Sequence, residues 1–518
     1  MNVHPTAALS VDPITVEVIG NAFSSIADEM GSTLVRASSS PNIKERKDCS
    51  TAIMDAQGLL LCQAEHVPMH LGSFIDFIPQ LLRRYDLSDI RPGDVFIGND
   101  PYVGGGTHLP DIVMVEPVYV GHRLVAWVIN TAHHSDFADR GHQHIFQEGP
   151  RIPPLRYSRG EQVNREVLDF LLLNCQVPDE RISDLSAQLA ANRLGVRRIK
   201  AICDKYGADV MLVVGAELQN YSERRMRAAI RAMPDGVYRF TDRFDSCEIS
   251  GELPISIELT IAGDSLHMKF DAPPQVRAGI NMIYTALLAT VYYAAKSVAD
   301  PEVPPNAGLG RPITVEAPVG SIINCSFPAA VNGRTSLAQR VVDVILGAFA
   351  VALPRRIGAA AASSIIVVQF SGARADGSQW VYLESIGGGL GARADKPGMH
   401  GVQSHMTNTS NLPTESLERE YPLTLLEYSL VTGSGGKGRF AGGMGIRRVY
   451  RAERECRVEV DGSRITTLPW GAAGGAPGQG FTYSVNGAAF PFPGGLGTLR
   501  PGDIVEIVTP GGGGYGAA

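Results

Sequence analysis

No CxxC pair occurs anywhere in the 518 residues; the seven cysteines, at positions 49, 62, 175, 203, 247, 325 and 456, stand singly. Single spacing suits reduced thiols in a reducing compartment. Positive charge is also short: 46 Lys and Arg face 53 Asp and Glu, a formal net charge of -7. The one short basic run, RRIK at 197–200, reads as a solvated helix face, so nothing could neutralise a phosphate backbone and nucleic acid is not an expected partner. Long apolar runs are missing as well. The longest, near Val341–Leu353, is broken by Asp343 and too short to span a bilayer. The N-terminal MNVHPTAALSVDP lacks the basic and apolar regions of a secretory signal. These absences lead to the expectation of a cytoplasmic protein with no membrane association. Neither HExxH nor a Walker loop occurs, since GGKGR at 435–439 has no Ser or Thr after its lysine. The chain by itself is not expected to bind nucleotide.

What is present is apolar content of 44% and length beyond the roughly 250–300 residues at which a single core stops growing. The expected fold class is α+β, a large chain of several subdomains. Residues 1–234 form a helix-rich N-terminal part, and 235–518 a strand- and glycine-rich C-terminal part packed on it. Asp12-Pro13 is an N-cap and first-turn pair, and Val16, Ile19, Phe23, Ile26, Met30 and Leu34 mark one face of a helix to about Ala37. CSTAIMD and LLLCQA read as two strands joined by a turn at Asp55–Gly58, and Gly72–Tyr85 as one amphipathic helix. From Val163 to about Met233 the period is helical; after Pro234-Asp235-Gly236 it becomes alternating. GINMIYTALLATVYYAAKSVAD reads as a buried helix of about twenty residues. Glycine stretches at 387–393, 433–445 and 510–516 read as tight turns, with backbone cradles for an anion as the alternative.

Six of the twelve histidines fall between His108 and His144, together with Asp111, Asp136 and Asp139. A divalent first-row metal takes neutral imidazoles and carboxylates converging from several segments. His108 and Asp111 share a Gly-rich loop, and His133 follows the strand-like LVAWVI at 124–129. A metal site and a set of solvated loop histidines both fit this pattern. Asp48, beside Glu45, Arg46 and Lys47, reads either as an ion-paired surface residue or as a further ligand. His66 and His70, four apart around Pro68, read as loop histidines bonded to backbone.

Taken together, SSSPNIKERKDCS, HVPMHLGS, GDVFIGNDPYVGGGTHLPD, NTAHHSDFADRGHQH, NAGLGRPITVEAP, NLPTESLEREYPL, GSGGKGRFAGGMG and TPGGGGYG resemble, in that order, the hydantoinase B/oxoprolinase family over nearly the whole chain. The resemblance implies a chain that holds one divalent metal, zinc, manganese or iron. Its partner would be a hydantoinase A-type ATPase that carries ATP and magnesium, in a hetero-oligomer. By the family pattern the metal ligands are Asp48, His108, Asp111 and His133. His134, Asp136, His66 and His70 are candidates for proton transfer or for orienting the ligands. Phe137–Gly141 departs from the pattern, in which a glycine pair is common.

The implied chemistry is ring opening of a small cyclic amide, a hydantoin, 5-oxoproline or lactam. The partner would phosphorylate its carbonyl oxygen, and the metal would activate water against the carbonyl carbon. Two alternatives stand beside it: a subunit of an ATP-dependent ketone carboxylase of the acetone or acetophenone type, and a scaffold subunit whose metal is structural.

Overall fold

The computed structural model describes residues 11–64, 66–134, 142–489 and 495–517. Helix α1 (Pro13–Ala37) begins where Asp12 accepts from the Thr15 amide and where Pro13 needs no N–H partner. Its inner face carries Ile19, Phe23, Ile26, Met30 and Leu34, as the spacing predicts. A short turn of helix, α2 (Pro41–Lys44), leads into β1 (Cys49–Asp55), the turn at Asp55–Gly58, and β2 (Leu60–Gln63).

The expected helix over Gly72–Tyr85 is two helices, α3 (Leu71–Phe74) and α4 (Phe77–Arg84). Pro79 explains the break, because it has no N–H for the Ile75 carbonyl and its ring would strike that carbonyl in a continuous helix. There follow β3 (Val95–Gly98), β4 (Asp111–Val120), β5 (Arg123–His133), β6 (Leu155–Arg159) and β7 (Gln162–Val163). These strands form an antiparallel sheet in the order β2-β1-β5-β4-β3-β6-β7.

Helices α5 (Arg165–Leu173), α6 (Pro178–Tyr206) and α7 (Ala208–Arg231) follow. Helices α1, α6 and α7 close one side of the sheet over Ile53, Val118 and Val128, and α4 closes the other over Phe96, Val113, Val115 and Trp127. A sheet covered on both faces has no polar side, which is why β4 and β5 read as near-continuous apolar runs.

Beyond Met233, β8 (Gly236–Phe244), β9 (Leu253–Ala262) and β10 (Ser265–Asp271) form a meander. It is followed by α8 (Tyr284–Ala299), β11 (Ile313–Glu316), which joins β10 in parallel, and α9 (Arg334–Ala352). Helix α8 is shorter than the sequence suggests. Asn281 bonds the backbone of Val276, Ala278 and Ala330 and holds the preceding segment out of helix. Helix α9 is long and apolar enough to cross a membrane, yet 78% of that stretch is buried inside the protein, where it packs with α8 in the largest core. That core also takes in Val67, Met69, Leu109 and Ile145.

The last part comprises β12 (Ile366–Ala373), β13 (Gln379–Ile386), α10 (Thr414–Glu420), β14 (Leu423–Leu430), β15 (Ile446–Ala452), β16 (Cys456–Asp461), β17 (Thr482–Val485), β18 (Ala488–Ala489), β19 (Leu496–Leu499) and β20 (Ile504–Val508). Sheet β13-β12-β16-β19 and sheet β14-β15-β20-β17-β18 share one core, with Phe370, Tyr382 and Val458 against Tyr450, Val505 and Ile507.

At the end of this sandwich the glycine stretches pack on one another as extended chains joined by main-chain hydrogen bonds. Gly389 donates to Pro510, Gly443 to Leu390, Gly512 to Gly443, Gly513 to Ala360 and Gly436 to Gly512. A Cβ on Gly443 would lie 1.8 Å from the Met399 carbonyl oxygen, and one on Gly512 2.0 Å from that of Leu390. These amides are therefore committed to protein carbonyls. Close backbone packing, more than turn geometry, is what calls for glycine at these positions.

Candidate metal centre

Antiparallel register assembles the site. Asp111, first residue of β4, is paired with His133, last residue of β5. On the other side of β5 the His133 amide donates to the carbonyl of Asp48, the residue before β1. Directly opposed residues of antiparallel strands project from the same face, so Asp48, His133 and Asp111 form one row across three strands. His108 joins from the loop entering β4: its Nε2 lies 3.0 Å from Asp111 Oδ1. One donor atom each from His108, Asp111 and His133 falls within 4.8 Å of the others, and all three residues are buried.

Asp48 stands at the edge of this group, linked through His70. The His70 Nε2 is 3.5 Å from Asp48 Oδ1 and 3.8 Å from Asp111 Oδ1, and its Nδ1 is 2.9 Å from Ser50 Oγ. His70 therefore lines the same cavity, of about 50 Å³. That is room for a few water-sized particles.

Two residues far along the chain set the electrostatics. The His108 Nδ1 faces the Oδ1 and carbonyl oxygen of Asn332, at 3.0 and 3.2 Å, so Nδ1 carries the proton in the neutral ring and Nε2 presents its lone pair. That lone pair meets a carboxylate oxygen, an arrangement that calls for a cation between them. Arg334 donates to the other oxygen, Asp111 Oδ2, at 2.7 Å, and to Thr107 at 2.9 Å, which leaves Oδ1 toward the cavity. Burial alone would push the Asp111 carboxyl up, but the His108 ring beside Oδ1 and the Arg334 guanidinium on Oδ2 hold it well below the usual range.

His108 and Asp111 thus fit a divalent ion as they stand. His133 does so only after an exchange. Asn42 Nδ2 donates to its Nδ1 at 2.7 Å, and an ion taken by His133 requires that contact to be given up, whichever ring nitrogen ligates.

The remaining candidates lie apart. His134, one residue beyond β5, takes the other face of the sheet. There its Nδ1 accepts from Arg181 and its Nε2 bonds Gln188, both on α6. Burial and the Arg181 charge push its pKa down to about 3, so it is a neutral core histidine. His66 packs over Gly31 of α1, outside the cavity, and burial with the neighbouring His70 lowers its pKa to about 4. Asp136 and Asp139 lie outside the described residues.

Sequence reasoning missed Asn42, Arg46, Asn332 and Arg334. Arg46 is only 2% exposed, although KERKD has the look of a surface run. Asn332 and Arg334 fall in VNGRTS, which by itself signals only a helix start.

The profile of the hydantoinase B/oxoprolinase family matches residues 12–518, essentially every described part of the chain. The chain belongs to this family. Among its relatives within the family, caprolactamase subunit beta of Pseudomonas jessenii is 32% identical over 532 residues, covering 98% of this chain and 91% of that protein. The crystal structure of the ATP-dependent caprolactamase from the same organism superposes with a TM-score of 0.88 at 29% identity, over 98% of this chain and 92% of that one. The 5-oxoprolinase of Dictyostelium discoideum is 31% identical over 538 residues; the match spans 99% of this chain and 41% of that protein. A nucleotide-free acetone carboxylase structure shares the fold, with a TM-score of 0.87 at 16% identity, over 98% of this chain and 76% of that one.

Proposed function

We propose that this chain is the metal-carrying B-type subunit of an ATP-dependent cyclic-amide hydrolase acting on a hydantoin, 5-oxoproline or lactam. A partner ATPase of the A type, carrying ATP and magnesium, phosphorylates the carbonyl, and this chain's cavity receives the product of that step. The convergence of His108, Asp111 and His133 in one cavity carries the reading, and the name of a related protein as a caprolactamase subunit supports a two-component assembly.

A divalent ion, zinc, manganese or iron, bound by His108, Asp111, His133 and Asp48 would supply Lewis-acid charge and lower the pKa of water. The chain's own groups do the rest. Asn332 fixes the His108 tautomer, and Arg334 occupies Asp111 Oδ2, leaving Oδ1 for the ion while competing with it for the charge of that carboxylate. His70, between Ser50 and Asp48, is placed to move a proton between the cavity and the Asp48 carboxylate. Val67, Met69, Ile365, Val367 and Leu383 give the cavity an apolar wall that limits bulk water. His134, bonded to Arg181 and Gln188 of α6, is outside the cavity lining and supports β5.

The test is to copurify the chain with its partner and measure metal content, phosphate release and product. Hydantoin, 5-oxoproline and lactams are offered, and, with bicarbonate, acetone and aryl ketones. We expect the isolated chain to show no ATP turnover. His108→Ala should lose metal and ring-opened product, while His144→Ala keeps both. Full metal and normal product in His108→Ala would overturn the reading, and a carboxylated ketone as product would replace hydrolysis by carboxylation.

A further inference from the structure

Arg46 is a buried guanidinium in the wall of the metal cavity, and its hydrogen-bonding edge is only partly used. Its Nη1 donates to Asn42 Oδ1 and to the Leu383 carbonyl. Its Nη2 donates to Ser385 Oγ at 2.9 Å and lies 3.9 Å from Asp48 Oδ2, beyond hydrogen-bond reach. The Nε–H is buried with no acceptor among the described residues. Leaving such a charged donor unmet in the interior is costly, which makes it a natural place for a ligand acceptor.

A second donor sits beside it. Ser385 Oγ and Thr409 Oγ1 are 2.6 Å apart and both residues line the cavity. Only one of their two hydroxyl hydrogens is used between them, whichever way that bond runs, and the other remains to donate. The charges agree. Asp48, Asp111 and Asp461 line the cavity against Arg46 and Arg334, so a divalent ion would leave a formal surplus of one positive charge.

We propose that Arg46, with the Ser385–Thr409 pair, forms an oxyanion subsite beside the metal cluster, taking a carboxylate or phosphoryl group of the substrate. The Nε–Nη2 edge of a guanidinium matches two oxygens of such a group, and the spare hydroxyl hydrogen serves a third contact. The assignment rests on the metal reading above, and it names the residues that would hold the oxyanion a substrate carries when it reaches this cavity.

The experiment uses the full chain loaded with its divalent ion and, in parallel, the chelator-treated chain. Inorganic phosphate and, separately, acetate are titrated by calorimetry, with metal content measured on every sample. The native loaded chain should bind at least one of the two at millimolar concentration, and the tighter one identifies the group as phosphoryl or carboxylate. Arg46→Lys, which keeps the charge but loses the fork, should weaken that binding by about tenfold or more. Thr409→Val, which leaves the Arg46 contacts with Asn42 and Leu383 intact, should weaken it by several-fold at unchanged metal content. Thr409→Val decides the matter if Arg46→Lys fails to fold. Absence of binding by the native loaded chain, or unchanged affinity in Thr409→Val with native metal content, would overturn the subsite. Loss of metal binding by the native chain with anion binding intact would instead overturn the metal reading and leave the subsite standing.

Discussion

Replacing Arg334 by Met should make the protein less stable and its metal affinity higher. In the metal-free chain Arg334 donates to Asp111, a carboxylate with no solvent exposure, at 2.7 Å. Removing one partner of a buried ion pair leaves an uncompensated charge, at a cost of about 3–5 kcal/mol. Methionine fills similar space, so little of that cost comes from a cavity.

A divalent ion presents its charge to the same carboxylate, and the deficit is therefore smaller in the loaded protein. By the thermodynamic cycle, whatever part is recovered on loading appears as tighter binding, with each 1.4 kcal/mol worth about tenfold in Kd. If roughly half is recovered, affinity rises about ten- to sixtyfold. The assay is denaturant unfolding of native and variant chains with saturating metal and with chelator, together with competition titrations for Kd. A folded Arg334→Met chain that binds metal more weakly than native would refute the argument, because the guanidinium would then act by orienting Asp111 more than by competing for its charge.

Glu148 accepts from the Val331 and Asn332 amides, yet burial raises its pKa to about 7. Between roughly pH 4.5 and 7 the folded chain holds a proton that the unfolded chain releases, so this group costs stability as pH rises through that window, by up to about 3 kcal/mol. Nearby Glu248 raises the pKa further and Arg334 lowers it. Glu148→Gln should therefore flatten the stability profile and gain most above pH 7; unfolding midpoints at pH 5 and 8 check it, and an unchanged pH slope would count against it. Gly443→Ala should cost about 3 kcal/mol or more, since the Met399 oxygen at 1.8 Å must withdraw by roughly 1.2 Å and disturb neighbouring main-chain bonds. Gly487→Ala, at positive φ but with nothing within 4 Å, should cost only about 1–2 kcal/mol. Equal unfolding midpoints for the two would show that the bundle can relax.

The elements were legible in the sequence wherever a single period ran unbroken: α1, the hairpin strands of the first sheet, and the change of pattern after Met233. The cluster was half legible. His108 and Asp111 are three residues apart and could be seen together, whereas the alignment of Asp48, Asp111 and His133 in one row depends on strand pairing, which spacing does not reveal. The same limit hid Asn332, Arg334, Ser385, Thr409 and Asp461, which reach the cavity from the second half of the chain. The His66 and His70 pair looked equivalent, but the turn between them sends one into the cavity and the other against α1. The glycine stretches were ambiguous because backbone packing leaves no side-chain pattern to read.

The β4–β5 hairpin acts as a ruler for the site. It turns at Gly121-His122, and from that turn the two arms run to Asp111 on one side and His133 on the other. Because neighbouring strand residues face opposite ways, a net change of one residue in either arm would bring the wrong member of the His133-His134 pair toward Asp111. Homologues that preserve the chemistry are therefore expected to place insertions and deletions outside this hairpin or to compensate them within it, as the irregularity between Val118 and Tyr119 shows a strand can do. A sequence alignment that slips by one column at the double histidine would still match His to His, yet it would exchange a cavity residue for a core one.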